Sequence, residues 1–128
     1  MEKVTGIGGI FFKAKEPKVL GQWYAQHLGI DVQAWGGAQF AWRDAADPER
    51  TGSTAWSLFP ADTKYLDPST APFMLNYRVA DLDAMLAQLR AAGVQVDEKV
   101  DESEFGRFGW AMDPDGNRFE LWQPPEGM

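Results

Sequence analysis

The stretch Asp113–Trp122, which reads DPDGNRFELW, combines a tight turn with a strand. Pro114 fixes φ at the first corner of the turn, and Gly116 supplies the position that needs positive φ. Apolar and polar residues alternate after the turn, which predicts a half-buried strand. Glu120 lies in the middle of this strand, where a buried carboxylate without a partner is costly. Glu120 therefore either forms a rim salt bridge, with Arg118 or another cation, or has a functional role.

Composition limits the classes to which the chain can belong. Its 128 residues match a single domain, and a hydrophobic content of 45% with six Trp and eight Phe is sufficient for a core. There is no cysteine, which excludes disulfides and thiolate sites and agrees with a cytoplasmic protein. No apolar run approaches the ~20 residues that span a bilayer. The net charge of −7 argues against nucleic acid and anionic membranes as partners.

The order strand–helix–strand–strand–strand is predicted twice along the chain. We expect one domain over residues 1–128, with a first module at 1–60, a proline-containing linker at 61–72 and a second module at 73–128. The first module has predicted strands at 4–14, 31–35, 39–43 and 53–59 and a helix between 16 and 29. The second has predicted strands at 73–79, 94–100, 107–112 and 117–122 and a helix between 81 and 93.

Short motifs in this order resemble those of the vicinal oxygen chelate superfamily, which includes glyoxalase I, bleomycin-resistance proteins and ring-cleaving dioxygenases. The motifs are Glu16-Pro17, Trp23-Tyr24, Leu28-Gly29, Val79-Ala80-Asp81-Leu82-Asp83, and Asp113-Pro114-Asp115-Gly116-Asn117 followed by Glu120-Leu121. The resemblance covers nearly the whole chain. It implies an α+β fold in which two tandem βαβββ modules form a curved mixed sheet. The concave side of this cup would hold the substrate, and the helices would pack outside.

The resemblance also implies four metal-ligand positions, on the first and last strand of each module. Matching the two modules places these positions at Gly9, Trp56, Met74 and Glu120. Only Glu120 is a suitable ligand for a hard or borderline divalent ion, and a catalytic zinc takes three protein ligands. The single histidine, His27, lies on a predicted helix. We therefore predict neither metal nor other cofactor, with a degenerate site made by Glu120 and waters as the alternative.

Strand alternation predicts a cup lined by aromatic rings with one acid at its floor, a composition typical of small-molecule pockets. The alternative is that the same rings close a small core. The predicted ligand-binding residues besides Glu120 are Gly9, Trp42, Trp56, Met74, Asn76, Arg78, Phe108, Trp110, Arg118 and Trp122.

Two functions remain open at this point. One is metal-free binding of a small, planar, neutral or cationic molecule by the aromatic cup. The other is a glyoxalase-like lyase or isomerase in which Glu120 is the general base. That reaction requires an oxyanion stabiliser, and the candidates are Asn76, Arg78 and Arg118. Because sheet edges need cover, we also predict a homodimer.

Overall fold

The computed structural model describes residues 1–128 and has a mixed α+β fold with seven strands and two helices. This confirms the predicted fold class. The elements are β1 (Val4–Ala14), α1 (Pro17–Leu28), β2 (Gly37–Arg43), β3 (Thr51–Pro60), β4 (Phe73–Val79), α2 (Leu82–Ala91), β5 (Asp101–Ser103), β6 (Gly106–Met112) and β7 (Arg118–Gln123). They form one sheet in the order β2-β3-β1-β4-β7-β6-β5.

The sheet has the same local arrangement on both sides of its centre. In each half of the chain the first strand pairs in parallel with the last strand, β1 with β3 and β4 with β7. The two first strands, β1 and β4, pair antiparallel and join the halves. The sheet is open, with β2 and β5 at its edges. Both helices cover one face, which leaves the other face as a groove.

The helix boundaries follow the sequence signals. Pro17 occupies the first turn of α1, and Gly29 ends the helix in the left-handed conformation with φ of 68°. Asp81 caps α2, because its side chain accepts a hydrogen bond from the Ala84 amide at 3.0 Å. Both helices are too short and too polar to cross a bilayer.

The helix-covered face holds the main apolar cluster, between α2 and strands β4 and β7. Its buried members are Val79, Leu82, Met85, Leu86 and Leu121. Gly109 on β6 allows α2 to approach closely, since a Cβ there would lie 3.2 Å from Leu86 Cδ2. This cluster fixes β7, and with it Glu120, against the helix layer.

Two predicted strands are absent from the structure. Residues 31–35 form a turn instead, in which the Gly36 amide donates to the Gln33 carbonyl at 3.0 Å. Residues 94–100 make only an isolated bridge, between Val96 and Ala111, and the short β5 follows them. Both segments have alternating apolar residues, but their backbones hydrogen-bond locally or to one neighbouring strand, so no extended ladder forms.

Residues 61–72, predicted as a linker, fold into the groove. Leu66 has no exposed surface and packs on Met74 and Trp110, and Phe11 and Phe108 border the same cluster. The groove face therefore has its own apolar cluster, and part of it comes from the connection between the two halves.

Candidate functional site

Glu120 is the centre of a buried polar cluster on the groove face. Its neighbours across the sheet are Asn76 on β4 and Trp110 on β6. Asn76 Nδ2 donates to Glu120 Oε1 at 2.6 Å, and Trp110 Nε1 donates to Oε2 at 2.9 Å. The Tyr65 hydroxyl also donates to Oε2. Glu120 is only 2% exposed, so its carboxylate is held by three neutral donors in place of water.

Arg118 does not form the rim salt bridge with Glu120 that the sequence left open. Its Nη1 donates to Asp97 Oδ2 at 3.4 Å, and its guanidinium lies 5.4 Å from the Trp110 ring centroid. Glu120 is instead buried beneath the groove surface. Arg118 affects it only through its charge.

The cluster shifts the titration of two of its members. Burial raises the pKa of Glu120, although the hydrogen bonds from Tyr65, Asn76 and Trp110 and the charge of Arg118 act in the opposite direction. Burial, followed by the negative charge of Glu120, also raises the pKa of Tyr65. Tyr65 therefore stays a protonated donor throughout the physiological pH range.

The Tyr65 ring lies between two aromatic walls. It stacks on Phe59, with centroids 5.5 Å apart and an angle of 25°, and meets Trp110 edge-on at 6.2 Å and 89°. Phe11 contacts Phe59 from the sheet at 5.6 Å. The segment 61–72 thus places an aromatic ring with a hydroxyl group directly on the buried carboxylate.

The other end of the groove is built around Arg78. Its guanidinium lies 4.9 Å from the ring centroids of both Trp42 and Trp122, and its Nη1 donates to the carbonyls of Ser53 and Met128 at 3.1 and 3.2 Å. Burial lowers the pKa of Arg78. The two indole rings and the two carbonyl oxygens stabilise the cation in this partly buried position.

Trp122 is also held by its neighbours on the groove face. Phe108 stacks on Trp122, with centroids 5.9 Å apart and an angle of 4°, and Trp122 Nε1 donates to the Phe105 carbonyl at 2.7 Å.

An open pocket of about 660 Å³ lies beside Arg78, and a second of about 300 Å³ adjoins it at Trp42. Neither pocket includes Glu120, because residues 61–72 occupy that end of the groove.

Two adjacent glycines in β1 make room for this polar cluster. The pairing of β1 with β4 shifts between Ile7 and Gly9, which leaves Gly8 in a bulge. A Cβ on Gly8 would collide with the side chains of Asn76 and Trp122. Gly9 pairs with Asn76 and would meet the Phe11 ring at 2.7 Å. The predicted ligand-binding position Gly9 thus provides space for protein side chains.

The placement of Trp56 in the cup was wrong. Trp56 packs against Phe12 and Tyr24, at centroid distances of 5.5 and 5.0 Å, on the face covered by α1. The strand register explains the error. Phe11 lies beside Ser57 just as Asn76 lies beside Glu120, so Ser57 is the counterpart of Glu120 and the match between the halves was off by one residue.

Met74 also differs from its predicted role. It is on the groove face as expected, but it is 1% exposed and packs with Leu66 and Trp110, so it is inaccessible to a ligand while residues 61–72 are in place. The other predicted positions, Trp42, Asn76, Arg78, Phe108, Trp110, Arg118 and Trp122, all belong to the groove-side network described above.

The residues present do not fit the metal that the superfamily pattern implies. The four matched positions hold Gly9, Ser57, Met74 and Glu120, so one carboxylate is the single strong ligand. No group of three or more His, Asp or Glu side chains is placed to hold an ion. Both oxygens of Glu120 already accept hydrogen bonds. Metal-assisted chemistry therefore has no support from this set of donors.

Tyr65 and Leu66 belong to the candidate site, and the sequence pattern does not predict them. The three prolines in residues 60–72 predict a linker there. A signal was present, since Tyr65 and Leu66 are the only large apolar residues in 61–71. An adjacent apolar pair in an otherwise polar connection indicates that the connection packs on the protein.

The comparisons with known proteins agree with this architecture. Residues 9–122 match the family described as the glyoxalase-like domain. No curated protein sequence matches the chain significantly.

Solved structures show the same fold. Methylmalonyl-CoA epimerase from Mycobacterium tuberculosis is 24% identical over 95% of this chain and 89% of its own, with a TM-score of 0.61. A variant of the Streptomyces coelicolor methylmalonyl-CoA epimerase, in complex with 2-nitronate-propionyl-CoA, is 21% identical over 95% and 99%, with a TM-score of 0.67.

A glyoxalase/bleomycin resistance protein/dioxygenase superfamily member from Vibrio splendidus 12B01 is 12% identical over 96% and 99%, with a TM-score of 0.55. At these identities the structures establish the fold alone, whereas the family match spans most of the chain. The chain belongs to the glyoxalase-like domain family.

Proposed function

We propose that this protein binds a small, planar, neutral or cationic molecule in the groove beside Glu120, without a metal. One observation carries the proposal: the buried carboxylate of Glu120 holds a planar ring, that of Tyr65, through a hydrogen bond between aromatic walls. The same carboxylate and walls are suited to a planar ligand with a hydrogen-bond donor.

The charges around the groove favour neutral or cationic ligands. Glu120 is a buried carboxylate within a chain of net charge −7, which repels anions at long range. Arg78 and Arg118 are the cations that an anionic ligand would use. Arg78 already donates to two carbonyls and Arg118 to Asp97. The charge of each guanidinium group is therefore already partly compensated by oxygen atoms of the protein.

The hydrogen bonds favour binding over catalysis. A metal-free base needs a donor that stabilises the developing oxyanion. The three candidates already have partners, because Asn76 donates to Glu120 itself and each arginine donates through Nη1 to the oxygen atoms described above; of their buried donor atoms, only Arg118 Nε has no partner. Displacement of Tyr65 frees one acceptor position on Glu120, which one donor of a ligand can fill.

A second candidate function is proton transfer by Glu120 as general base in a lyase or isomerase. The raised pKa of Glu120 favours it, since a base with a pKa closer to neutrality is more effective. The methylmalonyl-CoA epimerases, whose structures are similar to this one, are enzymes with the same fold. Turnover of a bound compound, lost in Glu120→Gln, would replace the binding proposal with this one.

Six tryptophans allow binding to be followed by intrinsic fluorescence. Panels of cationic aromatics, neutral aromatics and anionic metabolites are titrated into the wild type, Glu120→Gln and the surface control Glu98→Gln. We expect binding from the first two panels, weakened at least about tenfold by Glu120→Gln and unchanged by Glu98→Gln. Binding of anions alone, tightened by Glu120→Gln, would contradict the proposal.

We also propose a cytoplasmic homodimer. The open edge strands β2 and β5 and the exposed apolar residues Val19 and Trp23 on α1 support self-association. The absence of cysteine supports the location. Light scattering at micromolar concentration tests the assembly, and a monomeric mass would contradict it.

A further inference from the structure

We infer that Tyr65 is an internal stand-in for the ligand, and that the subsite between Phe59 and Trp110 takes an aromatic ring carrying one hydrogen-bond donor, of which a phenol is the simplest. The inference rests on the proposed function and names the chemical class that the site selects. Ligand and Tyr65 side chain would occupy the same space, one at a time.

The position of the Tyr65 ring defines the class of ligand. Phe59 provides a stacking face and Trp110 an edge-on wall, so the space is flat and apolar. At its end Glu120 Oε2 accepts a hydrogen bond, while Trp110 Nε1 fills the other direction of the same oxygen. A ring without a donor would leave the buried carboxylate one hydrogen bond short.

The side chain of Tyr65 can rotate towards solvent, whereas the side chain of its neighbour Leu66 is fixed by burial. Tyr65 is 38% exposed, so its ring has a path to solvent, whereas the adjacent Leu66 is 0% exposed. Turns on both sides hold the backbone, through the Thr63 amide to the Pro60 carbonyl at 3.0 Å and the Ser69 amide to the Leu66 carbonyl at 3.0 Å. Rotation of one side chain therefore opens the subsite without moving the segment.

This arrangement makes binding a competition. A ligand binds the fraction of molecules in which the Tyr65 ring is out, so removal of the ring raises the apparent affinity by the inverse of that fraction. Discrimination between rings with and without a donor comes from Glu120. Both effects are measurable with simple probes, because 4-methylphenol is the missing side chain of tyrosine and toluene is the same ring without the hydroxyl.

The test titrates 4-methylphenol and toluene into the wild type, Tyr65→Ala and the control Tyr24→Phe, which removes a phenol hydroxyl on the helix-covered face. We expect Tyr65→Ala to bind 4-methylphenol at least about tenfold more tightly than the wild type does. Toluene should bind this variant at least about tenfold more weakly than 4-methylphenol. Tyr24→Phe should behave as the wild type.

Tyr65→Phe provides a second measurement if Tyr65→Ala proves unstable. It keeps the ring but removes its donor, so 4-methylphenol should bind more tightly than to the wild type. With three tyrosines in the chain, ring-labelled tyrosine NMR identifies the Tyr65 signal by its loss in this variant. Addition of 4-methylphenol to the wild type should shift that signal towards the position of an exposed tyrosine.

The outcomes separate this inference from the proposed function. Equal affinity of the wild type and both Tyr65 variants, with no movement of the Tyr65 signal, would overturn the stand-in role while leaving the binding function intact. Equal affinity for 4-methylphenol and toluene would overturn the donor requirement. Failure of the wild type and the variants to bind either probe or any fluorescence-panel compound would overturn both proposals.

Discussion

The two halves of the sheet share one plan of strands but differ in what they bury. In residues 73–128, α2 buries Leu82, Met85 and Leu86, and the last strand carries Glu120. In residues 1–60, α1 buries only Gly21, and the position equivalent to Glu120 is Ser57. Val19 and Trp23 on α1 are 58% and 50% exposed. The polar centre and the better-packed helix thus lie in the same half.

This difference suggests why the polar cluster can exist. A carboxylate buried on one face of a strand needs a rigid strand beneath it, and Leu121 on the opposite face of β7 is fixed by α2. The first half contributes a different part, the aromatic residues Phe11 and Phe59, which line the groove. Residues 73–128 thus hold Glu120, and residues 1–60 provide Phe59, on which the ring of Tyr65 stacks.

The largest effect should come from the helix contacts. Leu86→Ala removes a buried side chain that packs on Gly109, and we expect it to lower the free energy of unfolding by about 2–5 kcal/mol. Leu28→Ala on α1 is the matched control, because Leu28 is 61% exposed. It should change the free energy by less than about 1 kcal/mol in urea melts. If both variants lose the same free energy of unfolding, the two helices are equally well packed, which would contradict the difference between the halves.

The next effect concerns the bulge where the first half meets the polar cluster. Gly8→Ala places a Cβ against the side chains of Asn76 and Trp122, and overpacking of this kind costs about 1–3 kcal/mol. Gly6→Ala is the control, because its Cβ would lie an ordinary 3.7 Å from Arg78 Cδ. Urea melts measure both variants. Equal free energies of unfolding for Gly8→Ala and Gly6→Ala would contradict the close packing around Gly8.

A smaller effect should appear in the dependence of stability on pH. A carboxyl whose pKa is raised by folding binds protons more tightly in the folded state, so its contribution to stability falls as the pH rises above its ordinary pKa of 4.5. Glu120→Gln does not titrate. The stability of the wild type relative to this variant should therefore decrease from about pH 4 upward. In the first half, Ser57→Ala should show no such trend, and urea melts across pH test both.

The last prediction concerns metal content, for which we expect no measurable signal. Since the positions equivalent to a family metal site hold Gly9, Ser57 and Met74 beside Glu120, we expect no stoichiometric zinc, nickel, iron or manganese in the purified protein. Elemental analysis checks this. About one equivalent of metal, lost on Glu120→Ala, would contradict the prediction.

Much of the fold follows from local signals. The turn before β7, the proline at the start of α1 and the Asp81 cap each act within a few residues, so the sequence alone places them. The fold class and the resemblance to glyoxalase-like proteins also follow from their order. Residues 31–35 and 94–100 alternate like strands, but pairing depends on neighbours distant in sequence, and the sequence pattern does not determine it.

The candidate site was only partly predictable for a related reason. Glu120 stands out because a carboxylate between aromatic residues is unusual, and Asn76 and Trp110 follow from strand alternation. Trp56 was misplaced because a shift of one residue reverses the face of every side chain on a strand. Tyr65 comes from a connection whose path over the groove depends on how Leu66 packs, which no periodicity encodes.

A crystal structure of the protein with the tightest-binding aromatic compound tests the central claim most directly. We predict the ring of this compound between Phe59 and Trp110, its donor on Glu120 Oε2, and the Tyr65 side chain turned towards solvent. Density for the compound in the pocket beside Arg78, with Tyr65 still hydrogen-bonded to Glu120, would contradict the claim.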